Sequence, residues 1–310
     1  MGVYIWFGKL RSLLHLCISS NCRPTTYKMR NSFFPYIIAF IFNWSLVFAY
    51  EKTALENHPF YIIGCSKTVV NKALVDNMRL LLRNLNKVTF IIFGPDEVMK
   101  SDFKSLPIGT IVHLPELDNG SRYRTKRIDK CRNSLLQWVH EDVNAQRYWS
   151  QDPYVIMIDF DEVNEHPFNI SSYDYVMNHP EDWDVVTFNR PSYYDLWALR
   201  YERINYNVMN FGNTAEDGRW SGLVLSKDIY HQLKNYPGLY YPVMSAFNGV
   251  AIFKHYLSEQ CRFDWWNAEP YSRNSGVEEE CEHVKFFKCM TEKTHRTFIY
   301  KYYLSLSNHA

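Results

Sequence analysis

Short apolar runs alternate with amphipathic stretches from about residue 59 onward. Phe60–Ile63 and Val88–Phe93 are apolar, and glycine follows each of them, at Gly64 and at Gly94. Runs of this length and composition predict buried strands. Between the two runs, apolar residues recur at helical spacing, at Val70, Leu74, Met78, Leu81 and Leu85. The pattern therefore predicts a β-α-β unit, in which a helix joins two parallel strands.

The same alternation continues along the rest of the chain. A third short strand is predicted at Thr110–His113, and residues 124–139 have the apolar spacing of a helix. Further strands are predicted at Tyr154–Ile158, Asp184–Phe188 and Gly249–Phe253, and a short helix follows the last of them. Together these elements predict an α/β domain with a Rossmann-like, nucleotide-binding sheet and helices on both faces, to which the second half of the chain adds strands.

An acidic pair, Asp159 and Asp161, follows the apolar run Tyr154–Ile158 directly. The carboxyl ends of strands are where open α/β sheets bind ligands. Two carboxylates fixed there are suited to hold Mg²⁺ or Mn²⁺ against a phosphate. The pair therefore predicts an enzyme that handles a nucleotide diphosphate. The alternative is a strand end that carries two solvated acidic residues.

Charge and composition narrow the class of partner. The 310 residues include 34 basic and 33 acidic side chains, which gives a net charge of +1, and 17% of the residues are aromatic. A nearly neutral chain whose one basic run is Arg122–Arg127 does not indicate a nucleic acid partner. The aromatic rings supply core volume and also make good platforms for sugars and bases.

An uncharged segment near the N-terminus indicates membrane insertion or export. Residues 31–50 carry no charge, and Arg23, Lys28 and Arg30 precede them. About 20 apolar residues span a bilayer, and basic residues on the N-terminal flank keep that end in the cytosol. We therefore predict a type II protein of the Golgi or ER membrane whose globular part is lumenal. The predicted parts are a cytosolic tail at 1–30, a signal-anchor at 31–50, a short stem at 51–58 and a single domain at 59–310.

Two other interpretations of this segment remain open. Met29 could be the true start, with Val47–Ala49 as a small-residue cleavage site, so that the segment is a signal peptide and the protein is secreted. Alternatively, the segment is a buried core helix. The sequons at Asn119 and Asn169 fit a lumenal location.

Cysteine spacing fits an oxidising compartment better than a zinc site. Five of the seven cysteines follow residue 50, and no C-x-x-C motif occurs in the chain. An odd number leaves at least one of the five unpaired. Cys261, Cys281 and Cys289 are close enough in sequence for one local disulfide.

Five motifs together resemble a known class of enzyme. They are Arg127–Leu136, Asp159–Asp161, Tyr194–Arg200, Ser245–Gly249 and Cys281–Val284. Over about residues 60–290 the chain resembles glycosyltransferases of the GT-A fold, and more specifically the family of the cryptococcal α-1,3-mannosyltransferase and its capsule-associated relatives. The resemblance implies transfer of a sugar from a nucleotide-diphosphate sugar to a glycan or glycoconjugate acceptor. GDP-mannose is the first expected donor, and a UDP-sugar is the second.

The resemblance also implies roles at a metal and catalytic centre. Asp159 and Asp161 would hold Mn²⁺ or Mg²⁺, and Asp159 could also contact the ribose. His283 would be a further ligand, which suits Mn²⁺ better than Mg²⁺; the alternative is a structural histidine. Glu280 or Glu282 would act as general base on the acceptor hydroxyl if the enzyme inverts; the alternative is a solvated acidic face.

Other residues are candidates for holding the donor. Gly64 would let a nucleotide approach the backbone closely. Asp96 follows the second strand, where an acidic residue often meets a ribose or base, although a turn aspartate is equally consistent. Arg127 and Arg132 offer bidentate forks to phosphate. The alternative for Arg132 is an ion pair with Asp129 on the same helix.

The remaining candidates come from the family motifs alone. Asn133 lies on the helix that carries the arginines, and the Asn248–Gly249 pair lies in a small-residue loop near the donor sugar, where Asn248 could donate to a sugar hydroxyl. The Tyr194–Arg200 segment would stack its rings on a sugar; the alternative is that these rings are core.

Three rival functions are compatible with parts of the sequence. The first is a lumenal carbohydrate-binding or inactive transferase-like protein, which would keep the aromatic segment without a working metal site. The second is a haloacid-dehalogenase-type phosphatase, in which a small pair usually follows the acidic motif; here Glu162–Val163 follows it. The third is a nucleotidyltransferase, which usually has a Gly-rich loop that Gly64–Lys67 lacks.

Overall fold

Eight strands form one mixed sheet, in the order β3-β2-β1-β4-β7-β5-β8-β6. The computed structural model describes residues 58–83, 85, 87–106, 110–115, 124–146, 151–190, 193, 195–202, 226–265 and 280–304. Within these ranges, no helix is both long and apolar enough to cross a membrane. The predicted segment at 31–50 and the parts assigned to either side of it, up to residue 57, lie outside them.

The strands and helices have the following bounds. The strands are β1 Pro59–Cys65, β2 Lys87–Gly94, β3 Thr110–Pro115, β4 Tyr154–Ile158, β5 Val185–Asn189, β6 Tyr240–Pro242, β7 Val250–Lys254 and β8 Thr297–Tyr303. The helices are α1 Lys72–Leu82, α2 Arg124–Ala145, α3 Ile170–Asn178, α4 at residues 226–235, α5 His255–Ser258 and α6 Glu282–Thr294. Short 3₁₀ turns lie at Asp96–Lys100, Asp102–Ser105 and Glu162–Asn164.

The first four strands are parallel, and the later ones make the sheet mixed. β1 pairs in parallel with both β2 and β4, and β2 pairs in parallel with β3. β7 runs antiparallel between β4 and β5, and β8 runs parallel to β5 and antiparallel to β6. The predicted α/β class and the addition of the second half to the same sheet are therefore confirmed.

Strand alternation divides the core into two layers, one on each face of the sheet. In β1, Phe60 and Ile62 join one buried cluster, and Tyr61 and Ile63 join the other. This is the period of two that a pleated strand imposes. Helices α1 and α3 contribute buried side chains to the first cluster, and α2, α5 and α6 contribute to the second. Helices therefore cover both faces of the sheet, as the sequence predicted.

The order of the strands creates a switch point between β1 and β4. The chain moves from β1 outward to β2 and β3, and then returns through α2 to place β4 on the other side of β1. Right-handed crossovers in opposite directions put α1 and α2 on opposite faces of the sheet. The switch point therefore places a crevice at the carboxyl ends of β1 and β4, which is the usual ligand position in open α/β sheets.

The elements predicted from apolar patterns occur close to the expected residues. Strands β1 to β5 and β7 and helices α1 and α2 are confirmed, and the short helix after β7 is also present. The helix predicted at 124–139 is longer, since α2 ends at Ala145. The pattern did not identify α3, α4, α6, β6 or β8.

Two disulfides join elements that are distant in sequence. Cys65 at the end of β1 bonds to Cys131 on α2, and Cys261 bonds to Cys289 on α6. Cys281 is a buried free thiol. The expected local bridge among the last three cysteines is thus Cys261–Cys289.

This disulfide pattern gives a testable prediction. We expect peptide mapping of the unreduced protein to recover the pairs Cys65–Cys131 and Cys261–Cys289, and Cys281 to react with iodoacetamide only after unfolding. Replacing Cys261 and Cys289 by alanine should lower the free energy of unfolding by about 3 kcal/mol, because it frees a loop of intermediate length. An alternative pairing through Cys281, or no loss of stability, would contradict this assignment.

Candidate functional site

A cleft of about 400 Å³ lies across the carboxyl ends of β1 and β4. We call it the β1–β4 cleft. Its lining residues come from the segment after β1, the end of β2, the start of α1, the first turns of α2 and the turn after β4. They are Cys65, Ser66, Lys67, Thr68, Val69, Asn71, Leu74, Phe93, Arg124, Arg127, Ile128, Cys131, Arg132, Asp159, Phe160, Asp161 and Glu165. The cleft therefore occupies the crevice that the strand order creates.

The acidic pair stands on one wall of this cleft. Asp159 and Asp161 both line it, and Phe160 between them turns back into the core. The backbone N–H of Asp159 donates to the carbonyl of Gly249 at 2.9 Å, which continues the pairing of β4 with β7 beyond the end of β4. The backbone N–H of Val163 donates to Oδ1 of Asp161 at 3.2 Å. The turn thus presents both carboxylates on the same side.

The carboxyl group of Asp161 ionises less readily in this protein than it would in water. Desolvation by the surrounding protein, together with the negative charge of Asp159, raises the pKa of Asp161 to about 6. The backbone hydrogen bond from Val163 and the positive charges of Arg124 and Arg132 act in the opposite direction without cancelling this effect. A cation placed between the two carboxylates would remove their repulsion.

Arg132 links the acidic pair to the second half of the chain. This buried arginine donates from Nη2 to Oδ1 of Asp159 at 3.0 Å and from Nη1 to Oε1 of Glu282. Burial favours loss of its proton, but the charges of Glu282 and Asp159 outweigh that effect and raise the pKa of Arg132. Its guanidinium also lies over the ring of Phe247, at 5.1 Å. Arg132 therefore pairs with Asp159 and Glu282. The alternative ion pair with Asp129, which the sequence left open, is not formed.

The first turns of α2 supply the basic side of the cleft. Arg124 is exposed, and no described residue forms an ion pair with it. Arg127 lies one turn further along and lines the same wall. Two guanidinium groups that face two carboxylates across a cleft are suited to hold a phosphate bound to a metal. The expected position of Arg127 in the cleft is thus consistent with a phosphate contact.

The segment between β1 and α1 forms the opposite wall. It contributes the main chain and side chains of residues 65–69, and the backbone N–H of Ser66 continues the β1–β2 pairing by donating to Phe93 at 2.9 Å. Asn71 caps α1 by accepting from Ala73, and its amide donates to Glu165 at 3.0 Å. This contact joins the start of α1 to the segment after the acidic pair. The cleft is therefore closed on the side of α1 by a hydrogen-bonded rim.

His283 does not line the cleft. It is buried in the first turn of α6, stacked on Phe247 with the ring centroids 3.9 Å apart, and its Nε2 lies 3.9 Å from Oε1 of Glu282. Burial and the charge of Arg132 hold its pKa well below the ordinary value, so the imidazole is neutral. Nδ1 has no hydrogen-bond partner among the described residues. The structure thus keeps His283 adjacent to the site without placing it beside both aspartates.

The two candidate bases are held by arginines. Glu282 pairs with Arg132, as described above. Glu280 accepts from Nη2 of Arg200 at 2.8 Å and from the backbone N–H of Cys281 at 2.9 Å. Burial raises the pKa of Glu280, and Arg200 opposes that shift. Neither glutamate lines the cleft. To take up a proton, either carboxylate would first have to leave a buried ion pair.

Two of the expected donor-binding residues lie outside the cleft lining. A Cβ on Gly64 would come within 2.2 Å of Cε2 of Phe160 and within 2.6 Å of the Ile158 carbonyl oxygen. The space above Gly64 is therefore filled by the protein itself, and its function here is to let β1 and the acidic turn approach. Asp96 starts the 3₁₀ turn after β2 with its side chain 91% exposed, 3.9 Å from Nδ1 of His113.

The three asparagine and glycine candidates are engaged with the backbone. Asn133 faces the segment 261–265 and exchanges hydrogen bonds with the main chain of Phe263, at 2.9 and 3.0 Å. Asn248 donates to the carbonyl of Phe188 at 3.0 Å. Gly249 has a φ of +91° and is packed against Arg190 and Val163. None of the three lines the cleft.

Three further residues lie near the acidic pair; the sequence assigned no role to Asn164 or Arg190, and it placed Asp195 in the expected sugar-binding segment. Asn164 and Arg190 are buried and hold the turn that carries Asp161. Asp195 lies near Glu282 and Asp159; burial and those two charges raise its pKa to about 7. An asparagine three positions after an acidic motif carries no sequence signal, and the sequence does not show that Arg190 reaches back to it.

The two carboxylates of the cleft suit a hard divalent cation whose coordination shell is completed by oxygen atoms of a bound ligand. The described residues contain no group of three or more His, Cys, Asp or Glu side chains arranged to hold a metal ion. Mg²⁺ and Mn²⁺ commonly take one or two carboxylates from the protein and complete their shell with water and phosphate oxygens. Asp159 and Asp161, which both line the cleft, fit that arrangement.

Comparison with known proteins adds no family assignment. No protein-family model matches the chain, and no curated protein is significantly similar to it. The assignment of function therefore depends on the geometry of the cleft and on the motifs in the sequence.

The packing of Gly64 gives a test of its role. We expect Gly64→Ala to lower the free energy of unfolding by about 1–3 kcal/mol, because Phe160 and the β4 backbone must both shift. Gly238→Ala is the matched control, since there a Cβ meets only the ring of Tyr236, at 2.8 Å. Urea denaturation of both variants measures the difference. A stable Gly64→Ala protein with weakened nucleotide binding would instead support the original expectation for this residue.

Proposed function

We propose that this protein is a metal-dependent glycosyltransferase that moves a sugar from a nucleotide-diphosphate sugar to a hydroxyl group of a glycan or glycoconjugate. The observation that carries the proposal is the β1–β4 cleft, in which the acidic pair Asp159 and Asp161 faces Arg124 and Arg127 at the switch point of the sheet. This arrangement combines sites for a cation and for phosphates in one crevice. The sequence resemblance to GT-A glycosyltransferases favours a sugar as the transferred group.

In this proposal, Asp159 and Asp161 would hold Mn²⁺ or Mg²⁺. When bound, the metal would neutralise the charge that develops on the leaving diphosphate. Arg124 and Arg127 would contact phosphate oxygens from the α2 side of the cleft. The wall formed by residues 65–69 would contact the nucleoside. GDP-mannose is the first donor to test and UDP-sugars are the second.

The acidic side chains beyond the cleft would organise the site and not accept a proton in this proposal. Glu282 holds Arg132 beside Asp159, and Glu280 holds Arg200. Loss of Glu280 would remove the carboxylate that pairs with buried Arg200, and loss of Glu282 would leave buried Arg132 with Asp159 alone. Removing one partner of a buried ion pair is strongly destabilising. We therefore propose that Glu280 and Glu282 position the start of α6 beside the cleft.

The secretory pathway is the proposed location. Two disulfides within the described residues are typical of proteins from oxidising compartments. The uncharged segment at 31–50, with basic residues before it, fits membrane insertion with the catalytic part in the lumen.

The proposed activity is tested by a donor screen. We expect the full-length protein, purified in detergent, to release free nucleotide from one of GDP-mannose, UDP-glucose, UDP-galactose or UDP-N-acetylglucosamine with Mn²⁺, and EDTA to abolish the release. Asp161→Ala should lower the rate by at least about 100-fold, because it removes charge stabilisation at the leaving group. Asp182→Ala, an exposed acid on another loop, is the charge-matched control.

The screen distinguishes the proposal from its rivals. Release in EDTA, or full activity of Asp161→Ala, would contradict the metal assignment. No release from any donor, with binding of free glycans retained, would favour the carbohydrate-binding alternative. Release of inorganic phosphate from phosphomonoesters would favour a phosphatase.

The raised pKa of Asp161 predicts how Mn²⁺ binding depends on pH. A proton and Mn²⁺ compete for this carboxylate, so affinity should be nearly constant above pH 7 and fall as the pH drops through about 6. Below that pH we expect the affinity for Mn²⁺ to fall roughly tenfold per pH unit, because each bound Mn²⁺ must displace one proton. Titration of the protein with Mn²⁺ and GDP or UDP at pH 7.5, 6.0 and 5.0, followed by electron paramagnetic resonance, measures this. Equal affinity at all three values would contradict it.

A further inference from the structure

Arg190 lies behind the acidic turn and contacts both chain segments that form it. It follows β5, is 1% exposed and does not line the β1–β4 cleft. Its Nη1 donates to the carbonyl of Val163 at 2.7 Å, and its Nη2 donates to Oδ1 of Asn164 at 2.5 Å. Its Nε donates to the carbonyl of Asn248 at 2.8 Å. One guanidinium therefore ties the turn after β4 to the residues that enter β7.

Asn164 transmits this contact to the first aspartate. With Oδ1 occupied by Arg190, its amide nitrogen donates to the carbonyl of Asp159 at 2.8 Å and to the carbonyl of Gly249 at 3.0 Å. Its own carbonyl accepts from Asn77 on α1 at 2.7 Å. Asn164 is fully buried. The hydrogen bond from Arg190 thus fixes which way the Asn164 amide faces, and so keeps its nitrogen toward Asp159.

Val163 transmits the contact to the second aspartate. The carbonyl of Val163 is held by Arg190, and its N–H donates to Oδ1 of Asp161 at 3.2 Å. The N–H of Asn164 donates to the carbonyl of Asp161 at 3.1 Å, which closes the turn. A shift of Val163 would therefore disturb the hydrogen bond that orients the Asp161 carboxylate.

The backbone beside Arg190 is shaped to admit it. A Cβ on Gly249 would lie 2.8 Å from Nη2 of Arg190 and 2.9 Å from Val163. Asn248 and Gly249 have φ values of +58° and +91°, a region that few residues adopt. Two successive residues in this conformation aim the Asn248 carbonyl at the guanidinium. The motif Asn248–Gly249 is thus explained by its contact with Arg190.

We propose that Arg190 is a positioning residue that sets the separation and orientation of the Asp159 and Asp161 carboxylates for a divalent cation, acting through Val163 and Asn164. This inference rests on the proposed metal-dependent function. Side chains that orient metal ligands without touching the metal typically contribute 10–100-fold to metal affinity. Arg190 would do so through its planar guanidinium, whose Nε, Nη1 and Nη2 reach three separate acceptors at fixed spacings. A lysine ammonium is a compact point charge and lacks this rigid fork.

The test measures Mn²⁺ binding to the full-length protein by electron paramagnetic resonance, with GDP or UDP present. We expect Arg190→Met and Asn164→Ala each to weaken the Mn²⁺ Kd by about 10–100-fold, and Arg190→Lys to weaken it less than Arg190→Met. The double variant Arg190→Met/Asn164→Ala should be little weaker than either single variant, because the two side chains act in one chain of contacts. Leu81→Ala is the stability control, since Leu81 is buried on α1 and lies outside the cleft lining.

The outcomes separate this inference from the function on which it rests. Failure of the wild-type protein to bind Mn²⁺ with either nucleotide would overturn both the proposed function and the role of Arg190. Wild-type binding that is equally strong in Arg190→Met and Asn164→Ala would overturn only the role of Arg190. Arg190→Met and Leu81→Ala could lower the Tm equally and weaken Mn²⁺ binding to the same degree. In that case Arg190 contributes only to general stability and the inference is wrong. Selective weakening in the Arg190 and Asn164 variants supports it.

Discussion

The site depends on one buried guanidinium, that of Arg132. It bonds Asp159 at the end of β4 and Glu282 at the start of α6, while its own backbone belongs to α2. A buried charge is tolerated only when it is paired and hydrogen-bonded, so these three elements cannot separate without exposing or stranding it. The second half of the chain, which supplies α6, is thereby bound electrostatically to the acidic pair that the first half supplies.

The cleft is reinforced on two sides of that ion pair. The Cys65–Cys131 disulfide joins the end of β1 to the residue before Arg132, and both cysteines line the cleft. On the other side, Asn164 and Arg190 hold the turn that follows β4. The crevice lies between the segment after β1, the start of α2 and the acidic turn, and these contacts restrain its walls. Covalent, ionic and hydrogen-bonded restraints thus act on a place where the sheet itself supplies no pairing.

Sequence patterns identified the elements whose residues are apolar on the correct period. The sequence predicts a strand at Tyr154–Ile158 because the segment is an apolar run, and the structure buries all five of its residues. Helix α6 was missed although Val284, Phe287 and Met290 recur at helical spacing and are buried. Strand β8 was missed because its residues Thr297–Tyr303 are mostly aromatic and polar and do not form an apolar run. Asp159, Asp161 and Arg127, which the sequence makes candidates for one site, all line the β1–β4 cleft. Contacts such as Arg132–Glu282 span 150 residues and leave no local pattern.

The roles suggested for Gly64, Asn248 and Gly249 show a further limit of motif reasoning. Each was expected to approach a ligand, and each is instead packed against Phe160, Phe188 or Arg190. A glycine or asparagine is required wherever two parts of a chain approach closely or the backbone takes a positive φ. A motif can therefore lie next to a ligand site because it shapes the turn that carries the ligating residue. The sequence alone does not separate these two reasons.

Under the proposed function, the charges in the cleft suit a metal bound together with phosphates better than either alone. Arg132 already compensates Asp159 and Glu282, so it adds little free positive charge to the cleft. Asp161 then remains with a raised pKa, and Arg124 faces it from the exposed start of α2. A phosphate alone would meet the carboxylates unfavourably, and a cation alone would lack ligands. A diphosphate bridged to a divalent cation satisfies the carboxylates through the metal and the arginines through its oxygens.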